Sequence, residues 1–120
     1  MANPFVHVEL NTTDPAKAKE FYGKLFDWKL EDVPMGDFTY TMIKVGEGTG
    51  GGMLKHPMPG APSTWLAYVH VNDIAAATGK AKFLGATVIK DVTEVPGAGH
   101  FSIIQDPTGA VLALWKPKMG

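Results

Sequence analysis

Residues 5–11 read FVHVELN, and Asp14 and Pro15 follow closely; this short segment predicts the first two elements of the fold. Its alternating residue types and β-branched side chains predict a β-strand. An aspartate before a proline is a common helix start, because the carboxylate caps free N–H groups and proline suits the first turn. We therefore predict a strand at Phe5–Asn11 and a helix from Pro15 to Phe26.

The same pattern returns after a segment rich in proline. Three more strands are predicted in the first half, at Trp28–Val33, Phe38–Val45 and Gly51–Lys55, so that this half has the order βαβββ. The next eight residues, HPMPGAPS at positions 56–63, contain three prolines and one glycine and predict a linker.

The second half begins with the predicted strand Trp65–Val71 and a helix that Asp73 caps and that ends before Gly85. Its remaining strands are predicted at Ala86–Val95, His100–Asp106 and Ala110–Lys116. Asp14 then corresponds to Asp73, which indicates an internal repeat. We predict an α+β fold in a single domain over residues 1–120, with one module at about 4–55, a linker at 56–63 and a second module at about 64–117. An α+β sandwich without internal symmetry is the alternative.

Composition excludes several classes of protein. The chain has 120 residues, a formal charge of −1 and no cysteine, and every basic residue is lysine. Scattered lysines without arginine give no electrostatic footprint for nucleic acid. No basic segment precedes an apolar run near the N-terminus, and no apolar run approaches the length of a membrane span. The expectation is a cytoplasmic protein that contacts neither nucleic acid nor membrane.

Several short motifs, in this order, resemble the vicinal oxygen chelate superfamily, which includes glyoxalase I, bleomycin-resistance-type binding proteins, methylmalonyl-CoA epimerase and extradiol dioxygenases. The motifs are His7 before Asp14, Phe21-Tyr22 followed by Leu25 and Trp28, the strand before Asp73, and Asp106-Pro-Thr-Gly before a final apolar strand. This resemblance implies two paired βαβββ modules that form a cupped eight-stranded mixed sheet, as in glyoxalase-like proteins.

In members of this superfamily that use a metal, each module supplies one ligand from its first strand and one from its last. The matching positions in this chain are His7, Met53, Leu66 and Ala113, with a register uncertainty of one or two residues at Met53. Of these four side chains, imidazole alone is a suitable ligand for a divalent ion. The prediction is therefore that the protein has no metal and no other cofactor.

Strand alternation predicts the other residues of a ligand pocket. Glu9 shares a face with His7, and Tyr68 and His70 share a face with Leu66, while Phe101 and Trp115 are predicted as walls. Phe38, Tyr40 and Met42 are further candidates for walls. Two alternatives stay open: His7 as an ordinary strand histidine with a local partner, and Glu9 as an exposed carboxylate.

The resemblance and the missing ligands predict a small-molecule binding protein of the glyoxalase/bleomycin-resistance type that works without the usual divalent metal. The alternative is a lyase, an isomerase or a dioxygenase-like enzyme that uses His7 with Glu9, or an atypical metal site. A third possibility is an interaction module, and the superfamily resemblance also implies a homodimer.

Overall fold

The computed structural model describes residues 3–118. Its eight strands and two helices follow the predicted order βαβββ-βαβββ: β1 Phe5–Thr12, α1 Pro15–Leu25, β2 Lys29–Pro34, β3 Thr39–Lys44, β4 Gly51–Lys55, β5 Thr64–His70, α2 Ile74–Phe83, β6 Thr87–Val95, β7 Gly99–Gln105 and β8 Val111–Pro117. The chain forms two compact units, one of residues 7–66 and one of residues 3–6 with 67–118.

The first unit, residues 7–66, has the strand order β2-β3-β4-β1. The pair β1/β4 is parallel, whereas β2/β3 and β3/β4 are antiparallel. A Cβ atom at Gly51 would overlap the backbone carbonyl of Val8, with which Gly51 is paired. Glycine at this position therefore allows the two parallel strands to approach each other.

Helix α1 and one face of this sheet enclose the first core. Asp14 caps α1 as predicted, because its carboxylate accepts the N–H of Lys17 at 3.1 Å. The predicted helix end was one residue too late, since Phe26 is already extended. The buried centre of this core is Leu10, Ile43 and Met53, and packed against it are Ala18, Tyr22, Trp28, Leu30 and Val45.

The second unit has the strand order β5-β8-β7-β6, with β5/β8 parallel and the other pairs antiparallel. Asp73 caps α2 by accepting the N–H of Ala76 at 3.0 Å. Gly85 follows the helix with φ +105°, a conformation in which glycine is unstrained. The core of this unit has its buried centre at Val71, Ile74, Ile104 and Leu114.

None of the helices within residues 3–118 combines the length and the apolar character that a membrane span requires.

Candidate functional site

The two faces of β1 have different roles. Leu10 belongs to the first core, together with its register partner Met53 on β4. Since successive side chains of a strand point to opposite faces, His7, Glu9 and Asn11 lie on the face away from α1. We call this the helix-free face of the first unit.

A hydrogen-bonded cluster lies on this helix-free face. His7 Nε2 and Tyr40 Oη are 2.6 Å apart. Tyr40 Oη also donates to Glu9 Oε2 at 2.9 Å, and Asn11 Nδ2 donates to Glu9 Oε1 at 3.4 Å. His7, Tyr40 and Glu9 are half-buried, and Asn11 is 8% exposed. One phenol therefore links an imidazole to a carboxylate in a partly desolvated setting, where such bonds are stronger than in water.

Gly52 is the β4 residue that faces this cluster. It is in register with Glu9 on β1 and with Met42 on β3. Met53, the predicted pocket residue, is fully buried in the first core and points to the opposite face. That prediction was wrong by one residue, because the register around the glycines cannot be read from periodicity, and a shift of one residue moves a side chain to the other face.

Burial lowers the pKa of His7 below its usual value, because desolvation penalises the charged imidazolium. The imidazole is therefore mainly neutral at pH 7. A neutral imidazole can donate from one ring nitrogen and accept at the other, so His7 can orient a ligand or take up a proton.

The donor set on this face does not fit the divalent metal that the superfamily resemblance implies. A catalytic zinc site usually has three nitrogen, oxygen or sulfur ligands from the protein. Within residues 3–118, no three His, Cys, Asp or Glu side chains come together in a group that could hold a metal ion. His7 and Glu9 are two such donors, and both are hydrogen-bonded to Tyr40.

The second unit has an aromatic group on its own helix-free face. Val69 packs in the second core, and its neighbours Tyr68 and His70 therefore point away from α2. The ring of Tyr68 lies 6.5 Å from that of Phe101 and 6.4 Å from that of Trp115, the latter edge-on. These separations are typical of interacting aromatic pairs.

Three other predicted residues have the following positions. Ala113 is fully buried and is in register with Tyr68, so it shares the aromatic face. His70 is the last residue of β5; its backbone N–H donates to Pro4 and its carbonyl accepts from Asn3. Leu66 is 7% exposed. Neither Ala113 nor Leu66 offers a metal-binding atom.

Two open surface pockets of the first unit lie elsewhere. One, of about 520 Å³, is bordered by Lys29, Lys44 and the glycines at 46, 48 and 50. The other, of about 500 Å³, is bordered by residues 55–61. Neither includes a predicted site residue, and neither brings together groups with an evident chemical role.

Sequence reasoning placed Tyr40 among possible walls and missed its polar role. A tyrosine in a strand can provide either an apolar surface or a hydrogen-bond donor, and the sequence does not distinguish the two. The signal that could have found its role is Gly52, because a glycine inside a strand often marks a close approach of another group. A Cβ atom at Gly52 would overlap the hydroxyl group and ring of Tyr40.

Comparison with known proteins identifies the family to which this chain belongs. The sequence profile of the "Glyoxalase/Bleomycin resistance protein/Dioxygenase superfamily" matches residues 5–114. The protein "Putative glyoxylase CFP32" of Mycobacterium tuberculosis is 33% identical over 111 residues, which are 91% of this chain and 42% of that protein. The "Anthracycline biosynthesis protein DauV" of a Streptomyces species is 27% identical, over 90% of this chain and 45% of that protein. This chain thus spans less than half the length of these relatives.

Solved structures show the same fold. A methylmalonyl-CoA epimerase of Mycobacterium tuberculosis has a TM-score of 0.72 at 14% identity, over 96% of this chain and 88% of that one. The hypothetical protein BH1468 of Bacillus halodurans has a TM-score of 0.73 at 18% identity, over 100% and 98%. These likenesses confirm the predicted fold class, α+β with eight strands in mixed parallel and antiparallel pairing. With the profile match over residues 5–114, the chain belongs to the glyoxalase/bleomycin resistance protein/dioxygenase superfamily.

Proposed function

We propose that this protein binds a small molecule on the helix-free faces of its modules and that binding needs no divalent metal. The observation that carries the proposal is the hydrogen-bonded group of His7, Tyr40 and Glu9, half-buried on a sheet face that no helix of its unit covers. Small-molecule sites combine apolar walls with a few fixed polar groups. The first unit carries polar groups of this kind on its helix-free face, and the second unit carries the rings of Tyr68, Phe101 and Trp115 on its own.

The aromatic group favours a ligand with a planar ring. Phe101 and Trp115 are half-buried, so their rings keep part of their surface exposed. An aromatic pair contributes about 0.5–1.5 kcal/mol beyond the burial of its area. The relative from Streptomyces, whose name refers to anthracycline biosynthesis, supports including polycyclic aromatic compounds among the test ligands.

The pocket residues predicted from sequence remain part of this proposal, with Gly52 and Tyr40 in place of Met53. We also propose that the modules belong to one domain, and that the protein is a cytoplasmic homodimer without nucleic-acid or membrane partners. Gel filtration with light scattering would test the dimer.

Titration of chelator-treated protein with aromatic and glycopeptide-like compounds tests the binding function. The chain has three tryptophans, so a W28F/W65F variant reports on Trp115 alone. A ligand on the aromatic face should change the fluorescence of Trp115, and calorimetry should give the same Kd. Absence of binding across the panel, or binding that W115F and H7Q both leave unchanged, would refute the proposed site.

Matched variants separate the polar contribution from the aromatic one. Loss of one hydrogen bond to a ligand corresponds to about 1 kcal/mol, so H7Q should weaken binding by on the order of 5-fold to 10-fold. His56 provides the control, because it lies in the proline-rich segment and its Nδ1 accepts the N–H of Met58. H56Q should leave the Kd unchanged.

The second candidate is an enzyme that uses His7 and Glu9 for acid–base chemistry. Its specific support is the lowered pKa of His7, because a neutral imidazole beside a carboxylate-bound phenol can accept a proton at pH 7. The hemithioacetal of methylglyoxal and glutathione is a suitable first substrate. Turnover that H7Q abolishes and H56Q preserves would support catalysis, and elemental analysis of protein purified without chelator would show whether a metal takes part.

A further inference from the structure

Tyr40 and Gly52 fit together on the helix-free face of the first unit. Gly52 on β4 is flanked by Glu9 on β1 and Met42 on β3. The hydroxyl group and the adjoining ring atoms of Tyr40 occupy the volume that a Cβ atom at position 52 would need. Any side chain at this position would therefore displace the Tyr40 ring.

The hydrogen bonds of Tyr40 fix which atom of His7 carries a proton. The phenol has one hydrogen, and it donates this hydrogen to Glu9 Oε2. Tyr40 Oη must then accept from His7 Nε2, which lies 2.6 Å away. The neutral imidazole is consequently the Nε2–H form.

A nitrogen that carries a proton has no lone pair for a metal ion. A zinc ion bound to His7 Nε2 would lie about 2.0–2.1 Å from it, in the space that the phenol now occupies. Glu9 is engaged by the same hydroxyl group. Tyr40 therefore opposes metal binding at both of these donors, because it occupies the space beside them and its hydroxyl group is hydrogen-bonded to each.

We infer that Tyr40, accommodated by Gly52, excludes divalent cations from His7 Nε2 and Glu9. Side chains in register on neighbouring strands lie about 5 Å apart, and alternate residues of one strand lie about 7 Å apart. A carboxylate at position 52 would therefore be within reach of both donors once the phenol is removed. This inference goes beyond the proposed function, because it holds whichever small molecule the protein binds.

Calorimetric titration of the chelator-treated full chain with Zn²⁺ and Ni²⁺ tests this inference. The wild type should bind these ions only weakly and without a defined stoichiometry. Y40A/G52E should bind one ion per chain, with an affinity on the order of 100-fold higher than that of the wild type. Adding H7A to Y40A/G52E should abolish that gain. Y40F retains the ring and should still exclude the ion, which separates the effect of volume from that of the hydroxyl group.

Stoichiometric binding of either ion by the wild type, with loss in H7A, would overturn the inference, as would a folded Y40A/G52E protein that gains no affinity. Circular dichroism establishes whether the double variant folds. If it does not, long-range ¹H–¹⁵N spectra of His7 in the wild type decide, because an Nδ1–H form contradicts the argument. Ligand titrations are separate, so a protein that binds no small molecule would still give a clear result here.

Discussion

Replacement of Gly52 by alanine is the most direct test of the geometry at the candidate site. The added methyl group would overlap the Tyr40 ring, which would have to move and give up its bonds to His7 and Glu9. The backbone at Gly52 does not have a positive φ angle. Any destabilisation would therefore come from the contact with Tyr40 and not from backbone strain.

The expected cost follows from two effects. Overpacking of a filled site costs about 1–3 kcal/mol, and a hydrogen bond to a charged group contributes about 1.5–3 kcal/mol. Alanine regains about 0.4–1 kcal/mol by restricting the unfolded chain. We expect G52A to lower the free energy of unfolding by about 2–5 kcal/mol, which lowers the Tm by at least about 8 °C in a chain of this length.

A double-mutant cycle with Y40A identifies the origin of this cost. Urea unfolding should show that G52A costs less than about 0.5 kcal/mol once the Tyr40 ring is absent, a coupling energy of about 1.5 kcal/mol or more. Gly51 is the matched control, because its added Cβ would overlap the Val8 backbone and Y40A cannot relieve that contact. An equal cost of G52A in both backgrounds would refute the reasoning.

Four further predictions concern stability. Because burial lowers the pKa of His7 below 6.5, the unfolded state binds a proton at this imidazole more tightly than the folded state does. The contribution of His7 to the free energy of unfolding is therefore fully present above about pH 6.5, and it is lost as the pH falls towards the pKa of the folded state. The loss of unfolding free energy from pH 7.5 to 5 should be smaller in H7Q, and an equal loss would contradict this assignment. Thr78 Oγ1 and the fully buried Ser102 Oγ are 2.8 Å apart. T78V should therefore lower the free energy of unfolding, measured with urea, by about 1–3 kcal/mol, because it leaves the Ser102 hydroxyl group without this partner. T78V/S102A, which removes both hydroxyl groups, should lower it by less than T78V alone. Gly79 lies exposed in α2 with no atom near an added Cβ, so G79A should stabilise by about 0.5–1 kcal/mol; a lower Tm would contradict this. Asp73 caps α2, so D73A should cost about 1 kcal/mol, and thermal unfolding that matches wild type would disprove the cap's contribution.

Part of the candidate site could be predicted from sequence because strand alternation is a local property. The placement of His7 and Glu9 on one face of β1 needed only the period of two and the apolar row around Leu10. Tyr40 could not be assigned in this way, since its contact with His7 joins strands that are far apart in sequence. The error at Met53 has the same origin, because the pairing of Leu10 with Met53 depends on the glycines before β4.

Local sequence patterns were enough to predict the order of the secondary structure, the helix caps at Asp14 and Asp73, the proline-rich connection and the α+β class. These features depend on neighbouring residues, through periodicity, capping and the restricted backbone of proline. The folded structure was needed to show which β4 residue faces the candidate site and that the Tyr40 hydroxyl group lies between His7 and Glu9. Strand register and close packing over Gly52 depend on contacts between distant segments, and such contacts form only when the whole sheet is assembled.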